Sequence, residues 1–102
     1  MKKIEATIPP FRLREVREEF EKLDVHDFNA TDVKEFTGQV HQKMLYQGAD
    51  AWIDFRHAIK IELVCPSNLV PMVKDALVRV SRGQNCNGIL TVSAITATYQ
   101  IP

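Results

Sequence analysis

Two short stretches of apolar alternation constrain this chain more than anything else in it. Ile4, Ala6 and Ile8 alternate with Glu5 and Thr7, and Ile59, Ile61, Leu63 and Cys65 recur with the same period of two. That period places such residues on one side of an extended backbone, so each stretch predicts a strand with one buried face. Each is followed by apolar residues at helical spacing. In residues 11–23, Leu13, Val16, Phe20 and Leu23 make one stripe, and the intervening Arg14, Glu15, Arg17, Glu18, Glu21 and Lys22 make a solvated face. Pro9-Pro10 ends the first strand because proline lacks the N–H that a ladder needs. The second helix is expected to be capped by Ser67 or Asn68, with Pro71 in its first turn and Leu69, Val73, Ala76, Leu77 and Val80 inward. Arg79 and Arg82 suit its negative end, and Gly83 is expected to stop it.

Residues 28–36 read as another extended segment. Between residue 37 and about residue 55 neither period holds, which makes a long loop of the kind that is usually functional. After a turn at Asn87-Gly88, the β-branched tract 89–101 predicts one or two strands. The order is strand, helix, strand, long loop, strand, helix, strand. It predicts an α+β fold: a ferredoxin-like βαββαβ sandwich with two helices on one face of an antiparallel sheet.

The 102 residues suffice for one domain spanning 1–102. A domain of this size leaves much surface uncovered, so subunit packing would add stability. The 13 basic and 13 acidic residues cancel, which argues against a nucleic-acid binder that works by displacing counterions. After Arg82 there is no charged side chain. The start, Met-Lys-Lys-Ile-Glu-Ala, lacks the apolar core of a signal peptide, and no apolar run approaches a membrane span. Cys65 and Cys86 make no disulfide framework, and the expected compartment is the cytoplasm.

At the long loop the sequence resembles the PII family of signalling proteins. Tyr46-Gln47-Gly48-Ala49-Asp50 is similar to the family's Tyr-Arg-Gly-Ala-Glu, and Ile53-Asp54-Phe55 to its Val-Asp-Phe. Lys60-Ile61-Glu62 matches the start of the next strand. The opening residues, Pro10-Phe11, Glu15-Val16, Val33-Lys34, Phe36 and Gln39 match in register, without gaps as far as about residue 82. The resemblance implies a homotrimer with an adenine nucleotide in each cleft between subunits. It implies a regulator with no catalytic step, whose long loop (the T-loop, about 37–55) docks onto a transporter or enzyme.

The same resemblance assigns candidate site residues. Gln39, with Phe36, Thr37 and Gly38 at the loop base, matches the region that holds the metal–nucleotide. Glu62 and Val64 match the lining of the base pocket. Asp27-Phe28-Asn29 stands where the family has Gly-Met-Thr, contributed across the subunit boundary. Asn87-Gly88 can offer backbone N–H groups to an anion. Tyr46, Gly48 and Trp52 are the expected partner contacts, and Trp52 is of a type enriched at binding hot spots.

Four expected cations are absent. The family's phosphate-loop lysine is Ile89 here, two C-terminal arginines fall at Gln100 and Pro102, and a loop-base arginine falls at Gly38. Charge-assisted hydrogen bonds contribute about 1.5–3 kcal/mol each. Tight ATP binding is therefore not expected; ADP, AMP or bicarbonate are the expected ligands. The family's uridylylated tyrosine is Ala51. Two alternatives stay open: a ligand-independent module docking on a transporter, and a metal-responsive protein using His26, His41 or His57, with or without Cys86. These histidines lack the i, i+4 spacing of ligands on one helix. No nucleophile–base pair stands out.

Overall fold

The computed structural model describes residues 1–36, 42–46, 49–53, 55–82 and 88–102, with 42–46 and 49–53 described by backbone course alone. Its elements are β1 (Lys2–Ile8), α1 (Leu13–Lys22), β2 (Asn29–Phe36), β3 (Gln42–Tyr46), β4 (Ala49–Ile53), β5 (Phe55–Cys65), α2 (Val70–Ser81) and β6 (Leu90–Ala94). Four strands form one antiparallel sheet in the order β2-β5-β1-β6. With α1 and α2 on one face, this is the ferredoxin-like α+β plan that the sequence predicts.

The alternation sets the layers. Ile4, Ala6 and Ile8 pair across from Leu63, Ile61 and Ile59, and together they face Val16 and Phe20 of α1 and Val73, Ala76, Leu77 and Val80 of α2. Phe20, the largest fully buried side chain, meets Phe28 edge-on at 5.2 Å between ring centroids. Each large side chain buried this way contributes about 1.5–3 kcal/mol. Cys65 lies in the same layer, as expected of a core thiol.

Four details differ from the sequence reading. Each helix is entered through a single 3-10 turn, Pro10–Arg12 and Ser67–Leu69. The second turn overturns the expected cap: Leu69 donates its N–H to the Pro66 carbonyl at 3.0 Å, so α2 starts at Val70 without a side-chain cap from Ser67 or Asn68. In the long loop, β3 and β4 pair from Gln42↔Ile53 to Tyr46↔Ala49. A two-stranded ribbon needs no buried face, so no apolar alternation marks it. The β-branched tail yields only the five residues of β6, because β1 ends: Lys2↔Ala94 is the last pair, and beyond the Ile95 N–H bond to the Met1 carbonyl the described residues offer no strand to join. Gly83 lies outside the described residues; α2 ends at Ser81.

The end of α1 is closed by a Schellman motif. Val25 donates to the Phe20 carbonyl at 2.9 Å and Asp24 to the Glu21 carbonyl at 3.1 Å, with Asp24 at φ 58°. A left-handed residue with a Cβ costs about 1–2 kcal/mol, less for aspartate, and glycine escapes that cost. Asp24 also pairs with His26, but both side chains are exposed, and such pairs add little. Asp24→Gly is therefore expected to raise the urea midpoint, by up to about 1 kcal/mol in stability; a lowered midpoint would contradict the strain.

Candidate functional site

The sheet face opposite the helices is polar. On it lie Lys3, Glu5 and Thr7 from β1, Arg56, Lys60, Glu62 and Val64 from β5, and Asn29 and Glu35 from β2, as the register dictates. Glu5 and Glu62 stand directly opposite each other, an arrangement of like charges that is unfavourable by itself. Two lysines resolve it. Lys3 reaches Glu5 at 2.9 Å and Glu62 at 3.3 Å, and Lys60 reaches Glu62 at 3.3 Å and Glu5 at 3.7 Å. The hydrogen bond from Lys3, followed by its charge and that of Lys60, holds the Glu5 carboxyl below the usual carboxylate range. Glu5 and then Glu62 push the Lys3 ammonium above its ordinary value.

Two grooves open at opposite ends of β1. The first, about 470 Å³, lies at the start of β1 and the start of β2. Its walls bring together five residues singled out in the sequence: Asp27, Phe28, Asn29, Glu62 and Val64, joined by Lys3 and Leu63. The groove combines a half-buried aromatic ring and an exposed valine with carboxylate and amide groups. Such a surface accepts a flat, weakly charged ring with hydrogen-bonding edges better than it accepts an anion, because Asp27 and Glu62 outnumber Lys3.

The second groove, about 300 Å³, lies where β1 ends, between α2 and β6. Ser81 supplies a hydroxyl to it, Arg82 a positive charge and Gly88 a bare backbone, while Ile8, Leu77, Val78 and Ile89 are apolar wall and Thr7 lines its edge. One guanidinium with a hydroxyl beside it suits a small anion. Sequence reasoning missed Lys3, Thr7, Ser81 and Arg82. Lys3 and Thr7 do share the outward phase of the first alternation, which is the signal that pointed to them.

The other candidate residues fall elsewhere. Phe36 ends β2, is 68% exposed and packs on Phe55 at 5.4 Å between centroids, in neither groove. Thr37, Gly38, Gln39, His41, Gly48, Cys86 and Asn87 lie outside the described residues. Tyr46 ends β3 and Trp52 lies within β4, opposite Lys43. His26 is exposed beside Asp24, and His57 is exposed on β5 against Phe55; the fold does not bring the two together. Among the described residues, no three His, Cys, Asp or Glu side chains are placed to hold a metal ion.

A family model described as nitrogen regulatory protein P-II matches residues 1–101. The chain belongs to the P-II family. It is 35% identical over 102 residues to the nitrogen regulatory protein P-II of Rhodobacter capsulatus, covering 99% of this chain and 91% of that relative. It is 38% identical over 82 residues to nitrogen regulatory protein P-II 1 of Escherichia coli K12, covering 80% and 73%. It is 37% identical over 102 residues to the P-II protein of Bradyrhizobium diazoefficiens, covering 99% and 91%. As a P-II family member the chain is a regulatory, signal-transducing protein and not an enzyme. Among its described residues no helix is long and apolar enough to cross a membrane.

Two consequences are measurable. Glu5, with its lowered folded-state value, stabilises the fold above its unfolded value near 4.5 and loses that contribution as pH falls through the depressed one. Lys3, raised above 10.5, stabilises below that value and loses its contribution as pH rises through the raised one. Lys3→Met removes the first cause of the Glu5 shift, so urea midpoints taken from about pH 6 to about pH 3 should fall less steeply than in the parent. Burial also pushes the Cys65 thiol up, away from the reactive thiolate. Iodoacetamide should leave Cys65 unmodified in the folded protein and alkylate it in urea, as read by mass spectrometry of its peptide.

Proposed function

We propose that this P-II family protein is a homotrimeric regulator that senses an adenine nucleotide with a short phosphate chain, ADP or AMP, in clefts between subunits. The observation that carries this reading is the placement of the two grooves. Lys3 and Thr7 are four residues apart on one strand, so the grooves are separated by about 13 Å along β1. The ring-accepting wall of one copy and the anion-accepting wall of another would together make one nucleotide site. Glu62, Asn29 and Val64 receive the base, and Arg82, Ser81 and Gly88 receive the phosphate. The family resemblance would add Asn87 and, from the loop base, Phe36, Thr37, Gly38 and Gln39 to the residues that meet this ligand.

Charge supports the short chain. The second groove has one arginine on its wall, Ile89 takes the place of a lysine, and residues 83–102 carry no cation. A triphosphate brings up to four negative charges and needs more donors than this. The signal passes to a protein partner, a membrane transporter or an enzyme, through the segment that carries Tyr46, Gly48 and Trp52. Bicarbonate is the small anion that the Arg82 groove would take in place of a phosphate.

Calorimetry with ADP, AMP, ATP with magnesium, and bicarbonate tests this reading. ADP or AMP is expected to bind at least about tenfold more tightly than magnesium–ATP. Tight magnesium-dependent ATP binding, or no binding by any nucleotide, overturns it.

A further inference from the structure

Glu35 and Arg56 are cross-strand partners on the open face, at the last turn of the ladder before the chain leaves the sheet. The Arg56 guanidinium donates to the Glu35 carboxylate through Nε at 2.5 Å and also through Nη2. Both side chains are more than four-fifths buried, with 19% and 17% exposed. The second carboxylate oxygen of Glu35 accepts the Thr7 hydroxyl at 2.8 Å, although Thr7 lies two strands away on β1. The path between them crosses β5 at Ala58, which pairs with Val33 on the open face. Ala58 is only 3% exposed, yet it is not part of the core cluster beneath the helices. By register Ala58 lies between the two ends of the bridge, where a larger side chain would compete with it for space.

The helix-side face of the same ladder end is also tied. Phe36 packs on Phe55, Phe55 packs edge-on against His57, and the Lys34 ammonium sits 5.1 Å from the Phe55 ring. A solvent-facing edge of a sheet has no need of such a joint for its own pairing.

We propose that Thr7, Glu35 and Arg56 form a latch that holds together the two strand ends from which residues 37–54 emerge. The latch thereby sets the direction in which the segment bearing Tyr46 and Trp52 leaves the body. Thr7 also lines the smaller groove, so groove and latch share one residue. This inference stands on the described side chains and does not depend on which ligand the grooves take.

Limited digestion with proteinase K, followed by mass spectrometry, reads cleavage within residues 37–54. Glu35→Gln and Arg56→Gln are expected to raise that cleavage rate by about tenfold, and Thr7→Val by a smaller factor. Arg56→Lys keeps the charge but loses the fork, and should give an intermediate rate. Ala58→Leu wedges the bridge apart with all three latch residues intact, and should reproduce the Glu35→Gln result. Melting temperatures measured in parallel separate a local effect from global unfolding. Cleavage at the parent rate in Glu35→Gln and Arg56→Gln overturns the latch, and so does a rise that a lowered melting temperature fully accounts for. Absence of nucleotide binding would remove the function proposed above and leave these outcomes as decisive as before.

Discussion

β1 is the strand on which the other elements depend. Seven of its residues pair with β5 and five with β6, so it holds both halves of the sheet in register. Its inward residues, Ile4, Ala6 and Ile8, anchor the layer beneath both helices. Its outward residues, Lys3, Glu5 and Thr7, supply a wall of each groove, half of the charge cluster and one arm of the Glu35 bridge. A slip of one residue would exchange these two sets, burying two charges and exposing the core layer. Core and functional surface are therefore fixed by the same ladder.

The inward phases of β1, β5 and both helices were legible because burial imposes a period that can be counted. β2 was harder: it is an edge strand, and six of its eight residues are exposed whichever way they point, so its extent came from context. The missed helix cap has a physical cause, since Pro66 and Pro71 bracket a tight turn that moves the helix start past Ser67 and Asn68. The overextended last strand failed for want of a partner, which propensity cannot report.

The site was legible in pieces. Asp27, Phe28, Asn29, Glu62 and Val64 follow from a family resemblance, and the fold gathers them at one groove. Glu35 and Arg56 carry no local signal in the sequence, because their encounter requires a register across 21 residues. Thr7 to Glu35 spans a third strand as well, and no local pattern encodes that. What remained hidden in the sequence was long-range pairing, while what was visible was local periodicity.

The four charges around Glu5 and Glu62 carry a further consequence. Two lysines and two glutamates sum to zero, and each carboxylate already has a cation on both sides. A surface of this kind neither attracts nor repels from a distance, and its long-range field is weak at any ionic strength. It discriminates instead at contact. A charged group brought against it meets both signs within about one strand spacing, roughly 4.8 Å, so a shift of that size exchanges attraction for repulsion. The quartet thus acts as a vernier on the sheet, indifferent to approach and exacting about position.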